Sequence, residues 1–87
     1  MKIRVTMEDI RGGSRDILNS PLTRAMQRIA GKSWVVFMCA RAMETAAPYR
    51  HVPLPPEASR HCEEHRRTGQ MEPFEFELPI DNATNDL

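Results

Sequence analysis

The run His61-Cys62-Glu63-Glu64-His65 gathers the side chains in this chain best suited to hold a metal or attack a carbonyl. On a helix, His61 and His65 stand at i and i+4 on one face with Cys62 beside them, a spacing that zinc ligands use. A complete site needs further ligands, and His51 and Cys39 are the donors left to supply them. Packing accounts for the same residues better. Leu54, Ala58, His61, Cys62 and His65 form the stripe that such a helix turns toward a sheet. A Cys–His dyad fails on direction, because adjacent helical residues point about 100 degrees apart. No glycine-rich phosphate loop, carboxylate pair in an apolar setting or triad accompanies the run. The expectation is no catalytic residue, no metal and no cofactor.

The elements that would carry these residues are bounded by size. With 87 residues, the chain reads as one domain, residues 1–80, followed by a polar, flexible tail, 81–87. A domain this small buries only roughly 60 to 65 per cent of its unfolded surface, which leaves no room for a deep cavity. Cys39 and Cys62 lack CxxC spacing and read as two free, partly buried thiols in a reducing cytosol, with a disulfide as the alternative. The opening residues carry Lys2 and Arg4 and no long apolar run, so neither a signal peptide nor a membrane span is expected. The expected location is the cytoplasm of the host cell.

Strand signals sit at both ends. Glu72-Pro73-Phe74-Glu75-Phe76-Glu77-Leu78-Pro79 alternates apolar and acidic residues, and Lys2-Ile3-Arg4-Val5-Thr6 alternates with the opposite charge. Period two describes half-buried strands, and opposite charge predicts that the two pair, Lys2 and Arg4 facing Glu75 and Glu77. Thr6 stands three residues before Asp9 as a capping box, predicting a short helical turn that Gly12-Gly13 ends. Residues 11–19 read as a loop. Ser20-Pro21 starts a helix in which Leu22, Ala25, Met26 and Ile29 make one stripe, with Arg24, Gln27 and Arg28 outward and Gly31 as the stop. Residues 33–39 are apolar on both parities and read as the middle strand of the sheet. Residues 41–47 are ambiguous between loop and helical turn, and 49–52 read as a short peripheral strand between prolines. Pro55-Pro56 opens a second helix, with Glu57 in its first turn, Arg66-Arg67 in its last and Gly69 beyond. The fold class that follows is α+β: a small twisted, mainly antiparallel sheet of three to four strands with two helices on one face.

Charge supplies the candidate binding residues. Acids and bases balance at 12 each, which argues against general nucleic-acid affinity. They are unevenly placed, basic residues dominating the first half and acids alone following Gly69. Arg24 and Arg28 share a helix face, with Arg11, Arg15 and Lys32 nearby, and this set suits an acidic protein surface or a phosphate backbone. The row Glu72, Glu75, Glu77 and Asp81 suits a basic groove, while cross-strand pairing with Lys2 and Arg4 is its structural use. The expected partner-binding set is Arg11, Arg15, Arg24, Arg28, Glu72, Glu75 and Glu77.

Four blocks carry a family resemblance: Ile3-Arg4-Val5-Thr6-Met7-Glu8-Asp9-Ile10, Asn19-Ser20-Pro21-Leu22-Thr23-Arg24-Ala25-Met26, Leu54-Pro55-Pro56-Glu57, and Gly69-Gln70-Met71-Glu72-Pro73-Phe74-Glu75-Phe76. In order and spacing the chain resembles a group of small proteins of bacteriophages and integrated elements. That group usually has a cysteine before the helix proline, where this sequence has Ser20. The resemblance implies a mobile-element origin and, by analogy, a host-defence inhibitor that blocks a host protein or nucleoprotein complex such as a CRISPR effector. The expected function is non-catalytic binding to a host macromolecule, with no membrane partner. The alternative is a small nucleic-acid-binding regulator using the Arg24/Arg28 face. Oligomeric state is left open.

Overall fold

Opposite charges and matched periodicity bring the two ends of the chain together in a computed structural model that describes residues 1–80. Strand β1 (Lys2–Val5) pairs antiparallel with β5 (Phe74–Glu77), placing Lys2 opposite Glu77, Ile3 opposite Phe76, Arg4 opposite Glu75 and Val5 opposite Phe74. Ile3, Val5 and Phe76 point inward and are buried, while the charged residues between them stay exposed. Between these strands run α1 (Met7–Gly12), a 3-10 turn (Ile17–Asn19), α2 (Pro21–Ile29), β2 (Trp34–Phe37), β3 (Arg41–Glu44), β4 (His51–Pro53) and α3 (Pro56–Thr68). The tail expected over 81–87 lies outside the described residues.

The molecule is α+β and antiparallel throughout, but its strands form two sheets, β1-β5 and β2-β3-β4. Helix α2 joins them, packing on β2 and on β1 and flanked by α1. Its start follows the sequence: Ser20 is the N-cap, its hydroxyl accepting from the Thr23 amide, with Pro21 at the first helical position. Leu22, Ala25 and Met26 are fully buried; Ile29 is half-buried and packs at the margin of the core. The capping box of Thr6 and Asp9 is formed in both directions and starts α1, a third helix where only a turn was expected. Helix α3 ends at Gly69, which takes the left-handed conformation (φ 79°) and donates its amide to the His65 carbonyl at 2.7 Å.

The middle of the larger sheet is β3, and β2 is an edge strand, the reverse of the sequence expectation. Thr23 explains the disguise. Its hydroxyl, fully buried on α2, donates to the Ile17 carbonyl at 2.7 Å and accepts from the Val36 amide at 3.0 Å. The outer edge of β2 is thereby covered by a helix, so its residues are as apolar as those of a central strand. The β2–β3 turn also lacks the usual signal. Met38 and Cys39 both adopt positive φ (58° and 55°), with the Ala40 amide donating to the Phe37 carbonyl at 3.1 Å. Asparagine and glycine are the residues that ordinarily mark such a turn.

Candidate functional site

The cysteines correct the expectation of free thiols: Cys39 and Cys62 are joined in a disulfide, with Cα atoms 5.5 Å apart. The left-handed turn carries Cys39 over the inner face of α3, and that separation is one a disulfide bridges without backbone movement. Cys62 therefore offers no thiolate to a metal or to a carbonyl. Its neighbours on α3 are engaged too. The His61 ring stacks on Phe74 with centroids 4.0 Å apart. His65 is buried, and burial first, then the charge of Arg15, pushes its pKa down, so the imidazole is held neutral. The stripe Leu54, Ala58, Cys62 and His65 faces the core, with His61 half-buried at its edge. Among the described residues no group of three or more His, Cys, Asp or Glu side chains could hold a metal ion.

The structure separates the expected arginines by use. Arg28 reaches from α2 to α1, where its Nη2 lies 2.7 Å from Asp9 Oδ2, and it also donates to the Arg4 carbonyl at 2.7 Å. Burial raises the Asp9 pKa, but hydrogen bonds from Arg28 and Thr6 and the Arg28 charge outweigh it and hold the carboxyl below its ordinary value. Arg24 lies along α1: a methyl on Gly12 would stand 2.6 Å from its Nη2, and its Nη1 donates to Asn19 at 3.4 Å. Arg28 is outward and exposed, as helical periodicity predicts, but its guanidinium is engaged, whereas Arg24 is half-buried. Arg11 and Arg15 remain exposed and have no ion-pair partner among the described residues. Arg15 folds across the end of α3, where its guanidinium occupies the space a side chain on Gly69 would need.

The acidic row divides in the same way. Glu75 takes both basic neighbours, Arg4 at 3.0 Å and Lys2 at 3.7 Å, and Glu77 pairs with the Met1 ammonium at 3.2 Å. Glu72 is exposed, beside a groove that also involves His61, Glu64 and Gln70. Cross-strand ion pairing thus accounts for Glu75, while Glu77, opposite Lys2 in register, is taken by the N-terminal ammonium instead.

Sequence reading missed two arrangements. Glu44, buried on β3, holds Arg50 through contacts of 2.9 and 3.0 Å, and the Arg50 guanidinium lies 5.3 Å from the centre of the Trp34 ring. Hydrogen bonding from Arg50 outweighs burial and keeps the Glu44 pKa low. This pair ties the β3–β4 connection to the sheet. The second arrangement is an apolar recess between the 3-10 turn, the β2–β3 turn and α3, bordered by Ile17, Met38, Met71 and the disulfide, with Arg15 and Arg66 beside it. Only its cations were visible in advance, because Met38 looked like the end of a buried strand. The chain matches no family model, no curated protein and no solved structure.

Proposed function

We propose that the chain is a non-catalytic binding protein of bacteriophage or mobile-element origin, acting by stoichiometric occupation of a surface on a host macromolecule. The four sequence blocks support the mobile-element origin, and analogy with small phage proteins that lack catalytic motifs supplies the target class, a defence complex such as a CRISPR effector in the host cytosol. One observation carries the binding reading: Arg11 and Arg15 stay exposed, with no ion-pair partner among the described residues, in a molecule that gives Arg28, Glu75 and Glu77 internal partners. Unpaired charge of one sign steers association and fixes register with a macromolecule of opposite sign. Of the groups that invite a metal or a nucleophile, Cys39 and Cys62 are bonded to each other, His61 is stacked on Phe74 and His65 is buried, while His51 stands exposed on β4. No helix among the described residues is long and apolar enough to cross a membrane. The Cys39–Cys62 bond is buried, which restricts its reduction by thiols in that compartment.

Affinity capture from host lysate, with quantitation of bait and captured component, tests this reading. The expected outcome is a saturable complex of fixed stoichiometry that Arg11→Glu with Arg15→Glu weakens without unfolding the domain. Turnover of a substrate by catalytic amounts of protein would overturn it. Oligonucleotide binding that weakens steeply with added salt would replace it with the nucleic-acid regulator.

A further inference from the structure

Met38 is the least explained residue in the fold. It holds a left-handed backbone (φ 58°) that glycine adopts without steric conflict, and its side chain is 54% exposed. Cys39, next to it and also left-handed, has a reason to resist replacement by glycine, because it bonds Cys62. Met38 makes no bond of that kind. A strained backbone retained to display an apolar side chain points outward, to a contact with another molecule. Its surroundings say what kind. Phe37 (43% exposed), which precedes Met38 at the end of β2, adds exposed apolar surface there. Among the described residues no carboxylate lines the recess beside Met38, whereas Arg15 and Arg66 both contribute to it and neither has an ion-pair partner there.

We infer that the Met38 turn and its recess are the partner-facing surface, and that the occupant is an acidic protein segment: one apolar side chain flanked by carboxylates. This rests on the binding reading above and specifies its partner chemistry. The apolar side chain packs over exposed Met38 at the mouth of the recess, and the flanking carboxylates meet Arg15 and Arg66 in charge-assisted hydrogen bonds. A nucleic-acid strand would satisfy the two arginines but leave the exposed Met38 side chain uncovered.

The test uses protein labelled at the methionine methyls, titrated with the peptide acetyl-Asp-Glu-Leu-Phe-Asp-Glu-amide and followed by NMR. Controls replace Leu-Phe by Ser-Ser, or all four acids by lysine; a single-stranded oligonucleotide is a further probe. The expected result is a saturable shift of the Met38 and Met71 methyls with the acidic apolar peptide, and binding weaker by about tenfold or more for each control. Arg15→Glu with Arg66→Glu should abolish the shift. Met38→Gly keeps the test independent of folding, because glycine suits the turn: the variant should melt no lower than the parent and still bind about tenfold more weakly, read at Met71. Equal binding by Met38→Gly, by the serine peptide or by the lysine peptide, tighter binding of the oligonucleotide, or no methyl shift at millimolar peptide would each overturn the inference. If host capture persists undiminished in Met38→Gly, this surface is wrong and the binding reading stands; if no stoichiometric partner is captured, the binding reading itself fails.

Discussion

Asp9 closes the capping box of α1 and receives Arg28 from α2, so one carboxylate both starts a helix and fastens it to its neighbour. The sequence discloses the first role through the Thr6–Asp9 spacing. It hides the second, because the two partners are 19 residues apart and helical periodicity only says that Arg28 leaves the core. Arg28→Ala should cost about 1 to 2 kcal/mol at neutral pH, the lower part of the range for hydrogen bonds to charged groups, since solvent screens a half-exposed guanidinium. The pH dependence follows from the depressed Asp9 pKa. The unfolded carboxyl protonates near its ordinary value of about 3.9, so the pair's contribution is complete above that pH and is lost as pH falls through the lower folded value. Urea denaturation of parent and variant at neutral pH and near pH 3 should therefore show a gap that narrows in acid; the Arg28 bond to the Arg4 carbonyl leaves a remainder. A gap independent of pH would mean that Asp9 is not the partner that matters.

Among the elements, α2 does most to hold the fold together, touching both sheets and α1. Thr23→Val tests its polar contribution with nearly unchanged shape. The substitution strips the Val36 amide of its acceptor and the Ile17 carbonyl of its donor in a fully buried setting. A loss of about 1 to 3 kcal/mol is expected in chemical denaturation, the penalty for an unsatisfied buried group. Helices α2 and α3 were legible because proline starts, an apolar stripe and a glycine stop act within a few residues of each other. Strand β3 was not legible. Its turn uses Met38 and Cys39 where glycine would signal a hairpin, and Arg41-Ala42-Met43-Glu44 contains no β-branched residue. The disulfide was also beyond reach, because pairing depends on where that unsignalled turn delivers Cys39. It closes a loop across 23 residues, for which chain entropy gives about 3 kcal/mol. Thiol titration under denaturing conditions should find no reactive thiol in the oxidised protein and two after reduction. The double variant Cys39→Ala, Cys62→Ala should melt at lower temperature.

Across the whole molecule, the feature most fully legible was the pairing of the ends, because opposite charge and period-two alternation are carried by the residues that meet. The division into two sheets was not, since nothing in strand composition says which strands share hydrogen bonds. Each sheet edge is protected by different chemistry: Thr23 over β2, Pro53 in β4, the Arg28 bond to the Arg4 carbonyl on β1, and Pro73 and Pro79 bracketing β5. Phe76→Ala should test how far the terminal sheet supports the rest. Phe76 lies opposite Ile3 and is buried, so a loss of about 3 to 5 kcal/mol is expected, measured as a shifted denaturation midpoint; a loss well under that would mean the core survives without β5. The same pairing sets a schedule for synthesis. β1 leaves the ribosome among the first residues, yet the strand that completes it begins at Phe74. Ile3 and Val5 must wait, uncovered by β5, until every other element of the domain has been made, so the terminal sheet is the last part of this fold that can close, and the interval before it is when the nascent chain most needs shielding by chaperones.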